Sequence, residues 1–379
     1  EREMRDPKAA ERFALKQSQA FVDQMEGFAL ELEDELMNFS DVSYKSFVKS
    51  ESEIITLFYD KFADIPLLSR MDAVAETFID EIETLLNRDL PEEERIPLIE
   101  KFQKMYETMD FYVLYNRFLK KEGYQTLPRR PLEKRKLRYE DVYPVLYLKY
   151  RLSRQAERSN IKHLVIDEMQ DYSRLQYLII RRMFSCKMTI LGDRAQTMAD
   201  QQQDVLQFLP GIFGKDLRRI EMRKSYRNTV EIASYAANLI GVTDLELFER
   251  HGMPVLERDV TDLEAALREA VDTLFSDEKT YETAAVIVPD EKTAERAYLI
   301  LREILAEKDF DCGKRLSWLN RDSSSFKKGL TVTTFYLAKG LEFDQVFSIF
   351  PKEEKREMMM QAQYIAATRA LHELRVYHI

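Results

Sequence analysis

The chain has 379 residues, 45% hydrophobic and 33% charged, and its 57 Lys and Arg against 67 Asp and Glu leave a formal net charge of −10. That is the composition of a globular protein long enough for two or three domains, and it excludes fibrous and low-complexity classes. The acidic balance argues against broad coating by nucleic acid while leaving room for a local basic groove.

No apolar run approaches the roughly 18 residues that cross a bilayer, and the opening "EREMRDPKAAER" is too charged for a secretory signal. No membrane partner and a cytoplasmic location are therefore expected. Cys186 and Cys312 lack partners at metal-ligand or redox spacing, and the four histidines are scattered, so neither a disulfide framework nor a zinc site is expected.

Residues 1–125 carry helical spacing: Phe21, Met25, Phe28, Leu32 and Leu36 fall three or four apart and would line one face. Glycine is nearly absent there, and "LNRDLPEEERIPL", with Pro91 and Pro97, reads as a turn between helices. An all-helical module is expected. In the stretch 128–138, Arg129, Arg130, Lys134, Arg135, Lys136 and Arg138 gather against the single acid Glu133. It reads as a basic linker that either is simply solvated or touches phosphates or an acidic partner.

From Tyr139 the texture changes. "HLVI", "MTIL", "AAVIVP", "LTVTTF", "QVFSIF" and "LRVYHI" are strand candidates, with helix-period segments such as "VEIASYAANLI" and "KTAERAYLILREILAE" between them. Such alternation predicts an α/β fold with parallel sheets and helices on both faces.

The first strand candidate runs into an acid cluster, "HLVIDEMQDYS", with Asp167, Glu168, Gln170 and Asp171. Acids there suit either a magnesium and nucleotide site or merely the first turn of a helix, where they meet the positive end of its dipole. The next strand ends in "GDRAQ", bringing Asp193 and Gln196 to a second carboxyl end, where open α/β sheets bind ligands. "SYRN" then supplies Tyr226 and Arg227, "TTFYLAKGLEFD" supplies Lys339 to Asp344, and "YIAATRA" supplies Arg369.

This ordered set resembles the motifs of superfamily-one helicases of the UvrD and Rep type, over residues from about 139 to 379. The resemblance implies two RecA-like parallel-sheet domains facing each other across one ATP. They would comprise 126–216, the later and incomplete part of the first, and 217–379, the second, with 1–125 as a helical insertion.

The resemblance also implies roles. Asp167 would hold Mg²⁺ and Glu168 would orient and deprotonate the attacking water. Gln196 would sense the γ-phosphate, and Arg227 and Arg369 would neutralise charge developing on the transferred group. Tyr226 would stack on adenine, and Glu342 would accept from the ribose. Asp193 and Gly340 fall with the nucleotide, and Thr333, Thr334, Tyr336 and Lys339 with nucleic acid. Read singly, Arg227 could instead pair with Glu231 one turn later, and Gly340 could be a turn glycine.

The family's phosphate loop, GxxxxGK[ST], has no counterpart. "LPGIFGKD" has Leu209 where the first glycine belongs and Asp216 where the hydroxyl belongs, and it lies downstream of the acids. The expectation is a fragment whose first domain begins upstream, and which hydrolyses ATP negligibly by itself. A non-catalytic module with a degenerate nucleotide site is the alternative.

Tyr226 and Lys339 are 339 − 226 = 113 residues apart, too close for the large domain that UvrD and Rep insert there, and Tyr336 stands where they usually carry histidine. The spacing, the stretch "TMADQQQDVLQ" after "GDRAQ", which lacks the aromatics with which those helicases stack on single-stranded DNA, and the stretches "YEDVYPVLYLKYRL" and "IKHLVIDEMQDYS" look closer to HelD, the helicase-like protein that associates with RNA polymerase. DNA, single-stranded or at a duplex junction, and RNA polymerase are the partners this implies.

Overall fold

The computed structural model describes every residue except 1–6, 155–159, 194–204, 223, 243–245, 277–280, 309–314, 322, 324–327 and 353–356. The chain divides into two compact units, Glu1–Gly192 with Gln202–Leu217, and Asp193–Gln201 with Arg218–Ile379. No helix among the described residues is long and apolar enough to cross a membrane.

The first unit opens with helices α1 (Pro7–Gln17) and α2 (Gln19–Glu35). Ser18 caps α2 by accepting from the Phe21 amide, and the expected face of Phe21, Met25, Phe28 and Leu32 is buried. The stretch 1–125 is not wholly helical. Strands β1 (Val42–Tyr44) and β2 (Phe47–Lys49) form an antiparallel hairpin, turned at Lys45 in the left-handed region (φ 53°). Each strand is only three residues long, too short for alternation to stand out from helical spacing.

Helices α3 (Glu51–Thr56), α4 (Arg70–Leu86), α5 (Glu92–Gln103) and α6 (Phe111–Lys121) follow. The turn expected around both prolines is confined to the first: Pro91 caps α5 and Pro97 lies inside it. Three consecutive acids, Glu92, Glu93 and Glu94, occupy the first turn, where the helix dipole favours them. Pro97 removes the donor that would reach the Glu93 carbonyl, yet the helix continues to bury Leu98 and Phe102.

Helices α7 (Tyr139–Leu152) and α8 (Arg174–Met183) share one core with the preceding helices. Tyr147, Leu148, Leu152, Leu175 and Ile179 join the cluster that contains Phe21, Phe58 and Phe118, so packing runs without a break through residue 125. Between α7 and α8 lies strand β3 (His163–Ile166), which pairs in parallel with β4 (Lys187–Ile190), His163 opposite Lys187 and Ile166 opposite Ile190. Helix α9 (Val205–Phe213) packs its Phe208 and Leu209 with Ile166 and Tyr177.

The second unit has a minor parallel pair, β5 (Lys224–Ser225) with β6 (Glu246–Leu247), flanking α10 (Val230–Leu239). Its principal sheet comprises β7 (Leu256–Asp259), β8 (Thr283–Val288), β9 (Leu316–Trp318), β10 (Gly329–Thr334), β11 (Phe343–Phe350) and β12 (Ala370–His378). Their order is β7-β12-β11-β8-β10-β9, every pairing parallel.

Alternate residues of one strand serve opposite faces. Ala284, Val286 and Val288 pack against α11 (Leu263–Ser276) and α12 (Glu291–Ala306), while Ala285 and Ile287 pack with α10 and α13 (Glu357–Ala367). Burial on both faces explains why these strands read as nearly continuous apolar runs.

Candidate functional site

In the first unit the acid cluster sits on the loop leaving β3. Helix α8 begins only at Arg174, capped by Ser173 with Gln176 completing a capping box, and its first turn holds no acid. Asp167 and Glu168 do not open α8; they precede a single 3₁₀ turn, Met169–Asp171, with Glu168 at its N-cap position making no side-chain cap bond. The loop instead turns back at Glu168, a non-glycine residue with φ 52°, a conformation uncommon enough at such a residue to invite a functional explanation. The Glu168 amide donates to Asp167 Oδ1 at 2.8 Å, and the Gln170 side-chain amide donates to Glu168 Oε2.

Gln170 is 1% exposed, so Glu168 is gripped by a side chain that the core holds in place. The Met169 amide donates to Leu191 O at 2.8 Å and the Tyr177 hydroxyl to Met169 O at 3.1 Å, pinning the turn to the end of β4. Burial pushes the Tyr177 hydroxyl well above its ordinary pKa, which keeps it a donor. Gly192 makes the close approach possible: a Cβ there would fall 2.5 Å from Gln170 Oε1 and 2.6 Å from the Met169 amide nitrogen. Sequence reading noted Gln170 and Gly192 but gave neither a role, because their importance is a matter of contact.

In the second unit Arg227 Nε lies 2.6 Å from Glu342 Oε1, both side chains nearly half exposed. Two residues singled out separately, in motifs 342 − 227 = 115 positions apart, are thus brought together. The alternative partner for Arg227, Glu231, is engaged elsewhere, accepting from His251 and from the Gly252 amide, each at 2.9 Å. Glu342 and Arg369 immediately precede β11 and β12, at the amino ends of those strands. Asn228 ties the segments together by donating to the carbonyls of Ala370 at 2.6 Å and Thr368 at 3.3 Å.

Arg369 is 1% exposed. Its guanidinium donates to Ile365 O at 3.2 Å, Leu341 O at 3.3 Å and Thr368 Oγ1 at 3.0 Å. Tyr364 donates to Asp193 Oδ2 at 3.0 Å, and burial followed by the Asp193 charge raises its pKa while the charges of Arg369 and Arg227 oppose the rise. Asp193, Tyr364, Arg227 and Arg369 therefore share one electrostatic neighbourhood. Tyr364, inside the quoted "YIAATRA", is a member that sequence reading passed over.

The Tyr226 ring is 61% exposed and lies 5.5 Å from that of Phe248, tilted by 39°. Gly340 has φ 80° with open space at its absent Cβ, so its conformation, not crowding, calls for glycine. The Thr333 and Thr334 side chains are buried, the Thr333 hydroxyl donating to Leu319 O at 3.2 Å. Tyr336 and Lys339 are half-buried. Gln196 lies outside the described residues. A cavity of about 390 Å³ in this unit is lined by Arg250, His251, Asp344 and His372 among others; of the residues singled out from the motifs it includes Asp344, at the end of "TTFYLAKGLEFD", and none of those given a role at the nucleotide or nucleic acid.

As a donor set the first-unit acids suit a hard cation. Mg²⁺ commonly keeps several waters and takes one or two carboxylates plus substrate phosphates, and Asp167 is exposed at a strand end. No group of three or more His, Cys, Asp or Glu able to hold a metal occurs among the described residues. Asp167 has the donor chemistry that a Mg²⁺ held mainly by phosphates and water would use.

The fold is an α/β protein with a wholly parallel principal sheet, and comparison with protein families places it in the superfamily-one helicase class. Residues 7–198 match the UvrD/REP helicase N-terminal domain and residues 329–377 the UvrD-like helicase C-terminal domain. The first match spans half the chain, and the protein belongs to the UvrD/REP helicase family.

Among solved structures, similarity extends to the C-terminal domain of a possible DNA helicase from Lactobacillus plantarum WCFS1, at 24% identity over 41% of this chain and 88% of that one (TM-score 0.33). It also extends to the PRRSV helicase and the arterivirus nonstructural protein 10 helicase, each at 14% identity over 70% of this chain (TM-score 0.32). The chain spans 45% and 50% of the length of those two viral proteins. No curated protein matches.

Proposed function

We propose that the chain carries the later nucleotide-site motifs of an ATP-driven superfamily-one motor of HelD type, in which turnover drives movement on DNA or frees RNA polymerase from nucleic acid. The observation that carries this reading is the meeting of Arg227 and Glu342 at 2.6 Å, beside Arg369 and Tyr364. Family membership supports ATP-coupled work on nucleic acid. The 113-residue spacing from Tyr226 to Lys339 (339 − 226) and the stretch "TMADQQQDVLQ", which lacks aromatics, support the HelD branch.

On this reading Asp167 is the carboxylate for Mg²⁺, which when bound supplies charge neutralisation at the phosphates. Glu168, oriented by Gln170, receives the proton of the attacking water. Arg227 exchanges Glu342 for phosphate oxygens, Glu342 is released to the ribose, and the exposed Tyr226 ring offers a stacking face for adenine. The reading requires a phosphate-binding loop, and no GxxxxGK[ST] occurs in this sequence.

The test is Glu168→Gln in protein that carries such a loop. Expected is retained nucleotide binding with turnover lowered by about 10²- to 10⁴-fold, the usual contribution of a general base. Unchanged turnover refutes the assignment. Strand displacement on tailed duplexes, run beside capture of core RNA polymerase, separates the translocase from the polymerase-releasing factor.

A further inference from the structure

The basic stretch 128–138 is not a slack linker. The Leu127 amide donates to Asn116 Oδ1 at 2.7 Å, and the Tyr112 hydroxyl donates to Pro128 O at 2.6 Å. Arg135 bridges back to Arg130 O at 3.0 Å and to Asp110 Oδ2 at 2.5 Å, with its guanidinium 4.8 Å from the Tyr112 ring centroid. Arg138 donates to Gln125 Oε1 at 3.2 Å, and Leu132–Lys134 form a single 3₁₀ turn. Two of the six cations, Arg135 and Arg138, are thus spent on fixing the segment against α6 and the loop that follows it.

The other four, Arg129, Arg130, Lys134 and Lys136, are exposed, and among the described residues none pairs with an acid. The chain as a whole is acidic, with a net charge of −10. Four unpaired cations on a braced stretch of eight residues, opposed only by Glu133, form a concentrated exception. At physiological salt, charges interact over about 8 Å, so a polyanion meets this patch locally even while the molecule as a whole repels it. The bracing also lowers the ordering cost of association.

We infer that this patch binds the phosphate backbone of nucleic acid, without reading sequence, as a contact separate from the motif residues. Its two arginines suit bidentate contact with phosphate oxygens. The choice of nucleic acid over another polyanion rests on the function proposed above; the patch itself does not.

The experiment is fluorescence anisotropy with this chain, using a labelled duplex and a labelled single strand, at salt from about 50 to about 200 mM, comparing the parent with R129Q/R130Q/K134Q/K136Q. Each neutralised phosphate contributes a log–log salt slope of about 0.9 on duplex and about 0.7 on single strands. Four contacts make about 3.6 or about 2.8, so over this fourfold salt range the parent should lose about 150-fold more affinity than the variant on duplex, or about 50-fold more on single strand.

Either result supports the inference and says which form is bound, and Glu133→Gln should tighten binding to the same probe. All four substituted side chains are exposed and unpaired, so melting should be unchanged. A slope that differs by less than about one contact on both probes overturns the inference. So does a parent that binds poly-glutamate through these residues while its nucleic-acid affinity is indifferent to them, which would indicate an acidic protein partner. Loss of slope together with unaffected turnover in Glu168→Gln leaves the patch standing and removes the proposed general base, so the two readings fail separately.

Discussion

Among the ion pairs of the first unit's described residues, the pair formed by Lys16 of α1 and Asp141 of α7 is the most deeply buried, at 2.5 Å with side-chain exposures of 6% and 0%. Asp141 Oδ1 also accepts from the Tyr115 hydroxyl at 2.7 Å, while Oδ2 is buried and has no hydrogen-bond partner among the described residues. Asp141→Asn preserves shape and the Oδ1 acceptor but leaves the ammonium of Lys16 buried without its counter-charge. Removing one member of a buried pair costs about 3–5 kcal/mol.

Neighbouring Glu140, held to Arg12 at 2.9 Å, retains a negative charge close to Lys16 and places the expected loss at the lower end, about 3 kcal/mol. For a unit of about 200 residues that corresponds to a melting decrease of about 6–12 °C. Thermal unfolding followed by far-ultraviolet circular dichroism reads the shift. The double variant Lys16→Met with Asp141→Asn should recover much of it, because no isolated charge then remains buried. A single-variant shift below about 2 °C, or a double variant as unstable as the single, would refute the reasoning.

Gly192→Ala should destabilise the first unit by about 1–3 kcal/mol, since its Cβ meets the Met169 backbone and a buried Gln170 that cannot easily yield; an unchanged urea midpoint would show that the acid loop is free to shift. Glu231 gives a pH-dependent outcome. Burial works against its charge, yet the bond to His251 and those to backbone amides hold its pKa at about 2, below the ordinary 4.5. A depressed carboxylate contributes stability that is complete above pH 4.5 and lost as pH falls towards 2. Glu231→Gln should therefore flatten the stability profile of the second unit in that window, and a profile identical to the parent's would remove Glu231 as its source.

Of the six strands proposed from β-branched runs, β8, β10 and β11 were legible because parallel strands buried on both faces show unbroken apolar character, whereas β3 and β4 were legible by their β-branched residues although they are largely exposed. Strands whose stability comes from position were not. β7 is exposed along its length at the sheet edge, β5 and β6 are two residues each, and the hairpin at 42–49 hides in helical surroundings. At the site, Asp167, Glu168, Arg227, Glu342 and Arg369 could be picked out because they stand in short motifs beside strands. Gln170, Asn228 and Tyr364 stand in the same motifs but acquire meaning only through partners that chain order does not announce, such as Ala370 O for Asn228 and Asp193 for Tyr364.

The two arginines given one role by resemblance are physically unlike. Arg227 is nearly half exposed, and its pair with Glu342 belongs to the class worth about 0–1 kcal/mol, so the fold hardly depends on it. Exchange of that carboxylate for a phosphate oxygen is therefore nearly free on the protein's side. Arg369 is buried and serves three acceptors of its own unit, among them Leu341 O next to Glu342. Truncating it strands those acceptors and removes a large buried side chain, so lost activity would mix chemistry with packing. Arg369 is thus tied to carbonyls and a hydroxyl of its own unit, and Arg227 is the less constrained charge. That makes Arg227 the arginine whose removal reports on the reaction with the fold left intact.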